Sequence, residues 1–560
     1  MLNFQNTMRR IPLILGVLLT TLTASAQEKK VTLNGSIQSD MMIAPQQDAS
    51  IGTSEYDNEY FLTNTYANLN LQSKWVDAGA RFELTQWPMP GFQDENNDFK
   101  GWGVPNLWVK GKLGKVDITL GNFYEQFGSG FILRSYEERS LGIDNSLLGV
   151  HLAANPCKGL TLKVLSGAQR NYWELNHSVV SGADVEVGLD SYFPKMQEKG
   201  AVLAVGGSWV NKYEAGDDVI KVGSTHRLNL PEFTNAFDAR LRYQQKGFAL
   251  LAEYAWKSQD PNSLNNYIYQ KGHAELLSMT YSAKGLSLLA QAKRSENMGF
   301  RSKRKELRAS KASYINHLPA FTVDQTYALP ALYPYATQME GEWAYQASAA
   351  YKFKGRYAPK FKLNYSRVNG LENSRLNVTD INVTGTDGHQ SAYWRNGEKY
   401  YQDLDLMYEH KLNKAFEHHF MYMYQNYNKE IIQKEGGMIN SHIFVYEPKW
   451  KINKKTTLRG ELQYLYTAHE SGDWGFVLAE LSLAPYLMFT VSDQIGRCEP
   501  TAGEYGDVQH YYNFGVTGNI KSHRIQLSYG RTRSGYNCNG GVCRYIPASK
   551  GVRLSYNYNF

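Results

Sequence analysis

The last eleven residues of the chain, 550–560, constrain its fold more than any other segment. Apolar and polar residues alternate there without interruption. Because successive side chains of a β-strand point to opposite faces, this alternation predicts a strand with one apolar and one polar face. The two faces carry Val552, Leu554, Tyr556, Tyr558 and Phe560, and Arg553, Ser555, Asn557 and Asn559, respectively. Such a strand fits between lipid and a polar lumen, and the alternative is the edge strand of a soluble sandwich.

The first residues predict a secretory signal peptide. An Arg-Arg pair at 9–10 precedes the apolar run 11–22, and an Ala-Ser-Ala cleavage site at 24–26 follows it. The apolar run is too short to span a bilayer as a helix. We therefore expect residues 1–26 to be removed and residues 27–560 to form one domain, because no linker, low-complexity tract or repeat divides them.

The remaining composition is polar but rich in aromatic residues. Mean hydropathy is −0.49, yet the chain contains 40 Tyr and 11 Trp. No later apolar stretch is long enough for a transmembrane helix. A membrane barrel accommodates both properties, since its lumen and loops are wet and its aromatic girdles lie at the two interfaces. The net charge of +7 falls to +5 without the leader arginines, which argues against a nucleic-acid partner.

Segments of period two recur along the chain and predict an all-β fold. Clear examples are 237–243, 345–353, 458–466 and 525–529, in which charged residues occupy only one of the two faces. A charge facing lipid at mid-depth costs roughly 2–4 kcal/mol, so this restriction is typical of strands in contact with a membrane.

Short and long connections alternate between these segments, which predicts a transmembrane antiparallel up-and-down β-barrel. Tight turns such as Gly114–Lys115 separate long polar stretches such as 123–146, 296–342 and 368–399. Counting in this way gives about 24 strands, with a range of 20–26. An even number places both termini on the periplasmic side of an outer membrane, and the last strand is then expected to pair with the first, near 31–41.

A barrel this wide has a large lumen, and the long loops are the only segments available to fill it. We therefore expect inward-folded loops, the segment 121–149 first among them. This segment combines aromatic residues with charges that balance locally: Arg134, Glu137, Glu138, Arg139 and Asp144. Paired charges are tolerated in a lumen. Three interpretations stay open: a constriction that selects solutes, a purely structural plug, and an ordinary surface loop.

The last long loop, 533–550, contains two cysteines in a Gly-rich turn. Cys538 and Cys543 are five residues apart in a chain predicted to be exported, so we expect a disulfide, with a metal site as the rival. The loop is then a stapled tip or a docking site for a partner protein. Cys157 and Cys498 fall in connections predicted to lie on opposite sides of the membrane, so they are not expected to pair.

Two segments together resemble an uncharacterised family of outer-membrane β-barrel proteins from the Bacteroidota. They are the pattern FYEQFGSG…LR…YEER…LG.DN at 122–145 and the pattern C.GGVCR…PAS.G at 538–549, near a terminal Phe. The resemblance implies the location and fold of the whole mature chain but no activity. It also implies that the terminal aromatic residues Tyr556, Tyr558 and Phe560 form the insertion signal that barrel-assembly machinery reads.

The favoured function is a porin-like or substrate-specific channel. The alternative is an occluded structural or accessory barrel that docks surface lipoproteins or envelope export and assembly machinery through its loops. No Gly-x-Ser-x-Gly, His-Glu-x-x-His or P-loop motif occurs, so we expect no enzyme, catalytic residue, metal or cofactor. Outer-membrane lipid and lipopolysaccharide are the expected contacts. The basic run 301–308 is a candidate for lipopolysaccharide phosphates or, alternatively, a solvated face.

Overall fold

The computed structural model describes most of the chain. The predicted signal peptide and Cys498 lie outside the described residues. The ranges described are 31–53, 60–92, 98–216, 219–222, 226–306, 312–372, 383–388, 391–470, 472–497 and 506–560.

Twenty-four antiparallel strands form one closed sheet, so the predicted barrel and its strand number are confirmed. Each strand pairs with its neighbours in sequence, and the last also pairs with the first. In chain order, β1 to β24 are Thr32–Gln46, Phe61–Gln72, Val76–Thr85, Gly101–Leu113, Val116–Phe123, Leu147–Ala154, Leu160–Asn171, Glu174–Gly188, Ala201–Tyr213, Phe233–Gln245, Phe248–Lys257, Gly272–Ala283, Leu286–Glu296, Gly341–Lys352, Lys360–Leu371, Asn396–Lys411, Phe416–Asn428, Met438–Lys451, Thr456–Tyr466, Trp474–Leu483, Leu487–Arg497, Val508–Ile520, His523–Thr532 and Ser549–Asn559.

The connections contain only short elements. Helices α1 and α2 span Pro194–Glu198 and Lys429–Gln433, and single 3-10 turns span Ala49–Ile51, Arg139–Leu141 and Leu189–Tyr192. Three two-stranded hairpins pair Glu137–Glu138 with Ile143–Asp144, Lys221–Val222 with His226–Arg227, and Gly535–Asn539 with Val542–Ile546. No helix in the described ranges is long and apolar enough to cross a membrane.

The two faces of the wall differ as the alternation predicts. On β24, Leu554 and Tyr556 face outward, whereas Arg553 and Ser555 face the lumen, where Ser555 contacts Asp40 of β1. Large apolar side chains are exposed around the outer face, for example Leu363, Phe420, Leu462, Val491, Phe514 and Leu527. This exterior is suited to hydrocarbon, and closure leaves no strand edge unpaired within it.

The two ends of the barrel are unlike. At one end, called here the short-turn rim, strands are joined by tight turns, including those at Gly114–Lys115, Lys246–Gly247 and Lys284–Gly285. At the other, the long-loop rim, connections such as 124–146 and 297–340 run for tens of residues. The start of β1 and the end of β24 both lie at the short-turn rim.

The seam between β24 and β1 confirms the predicted pairing of the last strand with the first. Backbone hydrogen bonds of 3.0 and 3.1 Å join Gly35 and Phe560 in both directions. The Phe560 ring covers Gly35 so closely that an added Cβ would lie 2.4 Å from the ring and 2.6 Å from the Asn68 carbonyl oxygen. A side chain at position 35 would therefore force the terminal aromatic residue off the seam.

Substituting Gly35→Val is expected to weaken the seam by about 1–3 kcal/mol through overpacking. The fraction of barrel that resists unfolding in unheated detergent gels should fall. Gly475→Val is the matched control, because an added Cβ there meets no atom within 4 Å. Equal losses in both variants would show that the Phe560–Gly35 contact contributes nothing specific.

Candidate functional site: a plugged lumen with one open side

Two long loops fold into the lumen and pack against each other, which confirms the expected inward loops. We call the described residues of 124–146 and 297–340 the lumen plug. The Arg134 N–H donates to the Ile315 carbonyl at 2.8 Å, and the His317 N–H donates to the Gly130 carbonyl at 2.9 Å. Apolar side chains of the plug form one buried core with inward residues of the wall; the plug contributes Phe127, Phe131, Ile132, Leu133, Met298, Phe300, Ile315, Leu318 and Phe321.

The plug is attached to one side of the wall by buried hydrogen bonds. Ser129 donates to Glu253 of β11 through its hydroxyl at 2.6 Å and its N–H at 3.0 Å. The Lys293 ammonium of β13 is fully buried and donates to the Pro319 carbonyl at 2.5 Å. On this side the wall is covered where it can be followed: Ser366 of β15 and Ser441 of β18 face inward and are completely buried.

A network of ion pairs holds the first loop against the wall. Asp144 lies between Arg81 of β3, which it contacts closely, and Arg170 of β7 at 2.6 Å. Arg81 also binds Glu137 at 2.9 Å, and Glu83 joins both arginines at 2.7 Å. A buried charge is stable only when it is paired, so these contacts fix the loop to one place on the wall.

The electrostatics of Asp144 favour its ionised form. Burial alone would raise the pKa of this carboxyl, but the guanidinium groups of Arg170 and Arg81 and the Ser146 N–H outweigh burial, and the pKa is lowered from its ordinary value of 3.8. The ion pairs therefore persist throughout the neutral and mildly acidic range.

Arg139 connects the same network to the first strand. It donates to Glu137 at 2.6 Å and to the Gln38 side-chain oxygen of β1 at 2.9 Å. Its guanidinium also lies over the Tyr66 ring of β2, 4.5 Å from the centroid. Arg139 thus lies where the plug meets β1 and β2, at the edge of the lumen that remains open.

The other two predicted residues lie outside this network. The Arg134 guanidinium lies 4.5 Å from the centroid of the Tyr136 ring, and this ring in turn contacts the ring of His317 in the second loop of the plug. Burial, with help from the charges of Arg134 and Lys293, lowers the pKa of His317 to about 3, so its ring is neutral. Glu138 accepts hydrogen bonds from Ser140 and, at 2.7 Å, from Asn539.

The predicted disulfide between Cys538 and Cys543 is present, so the rival metal site at these cysteines is wrong. Within the described ranges, no cluster of three His, Cys, Asp or Glu side chains is placed to hold a metal. Cys157 is exposed and unbridged, and its thiol contacts the Tyr192 hydroxyl.

The disulfide hairpin, residues 535–546, contacts both loops of the plug. Its Gly541 carbonyl accepts from the Thr337 N–H at 2.9 Å, and its Asn537 side chain donates to the Ser140 carbonyl at 3.3 Å. The Arg544 guanidinium lies over the Phe99 ring, 4.3 Å from the centroid. The hairpin is therefore more than a stapled loop tip, because it binds the two inward loops to each other.

On the opposite side of the lumen the plug leaves the wall uncovered. A cavity of about 890 Å³ lies between the plug and the inner faces of β1, β2 and β20–β24. Ser492 and Ser528 line it and are partly exposed, unlike the buried serines of β15 and β18. Arg139 and Ala331 form its border on the plug, and residues 531–537 border it towards the long-loop rim. We call this cavity the conduit.

Three side chains that anchor the loop to the wall were not predicted from the sequence: Arg81, Glu83 and Arg170. The alternation of β3 places Arg81 and Glu83 on the same inward face, so a search for charges on inward positions would have selected them. Their partner Asp144 could not be deduced, because it lies 63 residues after Arg81 and 26 before Arg170, in a loop that returns to the wall only in the folded barrel.

The interpretation of the basic run as a lipopolysaccharide contact or solvated face is wrong for the two arginines of the run that the structure describes. Arg301 and Arg304 are buried within the plug, at 0% and 1% exposure. Arg304 pairs with Glu214 at 3.0 Å. A buried cation that is paired with a distant acid, as Arg304 is, cannot be distinguished from a surface charge by its sequence alone.

Comparison with known proteins places the chain in a family but assigns no activity. The model of a family of unknown function, DUF6029, matches residues 8–560. No curated protein matches the sequence.

Several solved barrels are similar only in outline. The translocation pore of the P pilus usher PapC is 9% identical, with coverage of 95% of this chain and 100% of that chain and a TM-score of 0.44. Acinetobacter baumannii OccAB3 is 10% identical, with 95% and 99% coverage and a TM-score of 0.36. A mutant of the Pseudomonas aeruginosa ferric enterobactin receptor PfeA is 7% identical, with 95% and 81% coverage and a TM-score of 0.40. We draw no functional argument from likenesses this distant.

Replacing Asp144 with Ala leaves two buried guanidinium groups short of one partner, which typically costs about 3–5 kcal/mol. We expect residues 137–144 to detach from the wall while the barrel stays closed. Hydrogen exchange should accelerate in that segment and stay unchanged in the strands. Glu138→Ala is the control, because Glu138 takes no part in the Arg81–Arg170 network; equal exchange in the two variants would contradict the anchoring role.

The same network predicts how the loop responds to acid. Because the pKa of Asp144 is lower in the folded protein, its stabilising effect is complete above the ordinary value of 3.8 and is lost as the pH falls through the folded value. The protection of residues 137–144, which is their exchange relative to the intrinsic amide rate at each pH, should therefore be constant from pH 7 to the ordinary value and fall only below it. Loosening near pH 6 would contradict this assignment.

Removing the disulfide should loosen the plug without opening the barrel. In a Cys538→Ser/Cys543→Ser variant we expect faster hydrogen exchange at 137–144 and at 320–337, the segments that the hairpin contacts. Cys157→Ser is the matched control because that thiol is exposed and unbridged. Unchanged exchange in the double variant would show that the contacts of the hairpin with the plug do not depend on the disulfide.

Proposed function

Since the chain belongs to the DUF6029 family, whose function is unknown, we propose from its barrel that it is an outer-membrane channel of a Gram-negative envelope. Its lumen is narrowed to one side by the lumen plug, and solutes pass through the conduit. This is the porin-like or substrate-specific channel expected from the sequence, with the plug as its constriction.

One observation carries this proposal: the plug covers the wall unevenly. It is bonded to the inner faces of β11 and β13, whereas a cavity of about 890 Å³ remains along β20–β24, where only a few wall residues such as Phe476 and Tyr511 pack against it. A purely structural plug has no need of such a cavity along the wall. The cavity is lined by Ser, Asn and Gln side chains, which hold water well and exchange hydrogen bonds with a passing solute.

The membrane placement follows from the apolar exterior. We propose that the short-turn rim faces the periplasm and the long-loop rim faces the cell exterior, which is the usual arrangement of such barrels. Lipid and lipopolysaccharide then contact the outer face, and barrel-assembly machinery inserts the chain by way of Tyr556, Tyr558 and Phe560. The signal peptide at 1–26, the mature domain at 27–560, the Bacteroidota source and the lack of enzymatic activity stay predictions.

A second candidate function is the occluded accessory barrel, and the stapled hairpin favours it. Residues 535–546 lie at the long-loop rim, and Tyr545 is exposed there. An exposed aromatic residue on a rigid hairpin is suited to docking a surface lipoprotein or envelope machinery. Purification from native membranes separates the two candidates. A stoichiometric partner that is lost on replacing Tyr545 with Ala supports docking, whereas a solitary conducting barrel supports the channel.

Filling the conduit should reduce conductance. We expect a Ser492→Trp/Ser528→Trp variant, reconstituted in planar bilayers, to lose more than about half of the single-channel conductance, because two indoles occupy much of the available cross-section. Both serines line the conduit, and both substitutions face water, so the barrel should still fold.

Ser287→Trp is the matched control. Ser287 faces the lumen near the short-turn rim, where it is exposed and outside the conduit. The control should conduct as the unmodified protein does. The channel proposal is abandoned if neither the unmodified protein nor a variant that lacks residues 123–146 shows conductance.

A further inference from the structure

Two cations lie on the outer face of the barrel near the long-loop rim. Arg367 of β15 points outward, because it alternates with the buried, inward-facing Ser366 and Val368. The ladder pairs Lys399 of β16 with Asn369, two residues further along on the same face. Strands β14 to β17 are fully described, and among the outward side chains that they pair with one another no other Asp, Glu, Lys or Arg occurs. This part of the exterior is therefore positively charged.

Buried amides hold both cations in place without cancelling their charge. The Arg367 Nε donates to the Asn369 side chain at 2.9 Å, and the Lys399 ammonium donates to the Asn426 side chain at 2.9 Å. Both asparagines are only 2% exposed. Within the described ranges neither cation forms an ion pair, and the nearby Glu398 binds a different amide at 2.9 Å. The two terminal nitrogens of Arg367 have no partner among the described residues, so both can bind an external anion.

Aromatic side chains on the same face indicate the depth of these cations in the membrane. Tyr345 of β14 lies opposite Arg367 in the ladder, and its hydroxyl binds the Asn396 side chain at 3.2 Å. Trp343 of the same strand stacks on Trp394, which is 82% exposed. Trp and Tyr are enriched where hydrocarbon meets the lipid head groups. The cations therefore lie at the level of the head groups, where an outward charge has access to water and phosphate.

Below the cations, towards the short-turn rim, the outer wall is concave. A groove of about 790 Å³ crosses β14–β19, and its apolar lining includes the exposed side chains of Leu363, Leu406, Phe420, Phe444 and Leu462. Leu363 precedes Arg367 by four residues on β15, which is roughly 13 Å along the strand. The apolar band of such a barrel is about 25 Å tall, so the groove lies at the depth of acyl chains when the cations lie at the depth of head groups.

We propose that this surface binds lipopolysaccharide of the outer leaflet, with a phosphate of its glycolipid base on Arg367 and Lys399 and its acyl chains in the groove. A guanidinium binds a phosphate through two parallel hydrogen bonds, and basic sites beside an apolar transmembrane surface are typical of the recognition of anionic lipids. The inference rests on the proposed membrane placement, in which the long-loop rim faces the cell exterior, and does not depend on conduction.

The test measures binding of lipid A, the phosphorylated and acylated base of lipopolysaccharide, to the full-length protein in phosphatidylcholine nanodiscs. We expect saturable binding. An Arg367→Gln/Lys399→Gln variant should bind lipid A about tenfold or more weakly, because two charge-assisted contacts are lost. The exchanged variant Arg367→Lys/Lys399→Arg keeps both charges and should retain most of the affinity.

Lys354→Gln/Arg356→Gln is the matched control for the loss of two positive charges, since both residues lie in the exposed turn between β14 and β15 at the short-turn rim. It should bind lipid A as the unmodified protein does. Lipid A without its phosphates should bind weakly to the unmodified protein, and the Arg367→Gln/Lys399→Gln variant should bind it equally weakly.

Filling the groove tests the acyl-chain half of the site. Leu406→Trp should weaken lipid A binding several-fold, because the indole occupies space that the proposal assigns to acyl chains. Leu527→Trp is the control, since Leu527 is exposed on the outer face of β23 and lies outside the groove. Both substitutions face hydrocarbon, so both barrels should fold. Equal affinity in the two variants would show that the groove takes no part in binding.

The outcomes separate this inference from the channel function. Equal lipid A affinity in the Arg367→Gln/Lys399→Gln variant and in the turn control overturns the phosphate site. Equal affinity of the unmodified protein for phosphatidylglycerol in the same nanodiscs overturns the assignment to lipopolysaccharide. Conductance should be the same with and without the Arg367 and Lys399 substitutions, and a barrel that binds lipid A but does not conduct contradicts the channel function alone.

Discussion

The width of the closed barrel determines the rest of the structure. Twenty-four strands enclose more space than inward side chains alone can fill, and an empty lumen of that size would make the outer membrane leaky. Two loops of the chain fill much of this space, and the buried ion pairs and the conduit both result from their position in the lumen. A loop inside a polar lumen needs an apolar core to hold it together, and it needs paired charges to hold it to the wall.

Those two requirements are met on different sides of the plug. Phe127, Phe131, Met298 and Phe300 bury the surface that the two loops share. Asp144 connects the first loop to the wall through Arg81 and Arg170, and the disulfide hairpin joins both loops at the rim. The attachments described above lie on β3, β7, β11 and β13, whereas the conduit borders β20–β24, and it is this part of the lumen that we assign to transport.

The wall was predictable from the sequence and the lumen was not. A strand in lipid must alternate at every position, so the final strand, the number of strands and the seam with β1 could all be predicted from local pattern alone. Segment 121–149 was rightly expected to fold inward, and Cys538 and Cys543 were rightly expected to pair. The partners of Asp144 lie 63 and 26 residues away on separate strands, and no local pattern encodes such pairings. Arg304 illustrates the converse, since a buried charge that is paired with a distant acid looks like a surface charge in the sequence.

One side of the lumen is open to water while the other is covered by the plug, and thiol accessibility measures this difference directly. In a Cys157→Ser/Cys498→Ser background, Ser528→Cys should react with a membrane-impermeant thiol reagent added from either side of a bilayer. Ser366→Cys, on the covered wall and completely buried, should not react. Equal labelling of the two positions, whether fast or absent, would contradict an asymmetric lumen and with it the conduit.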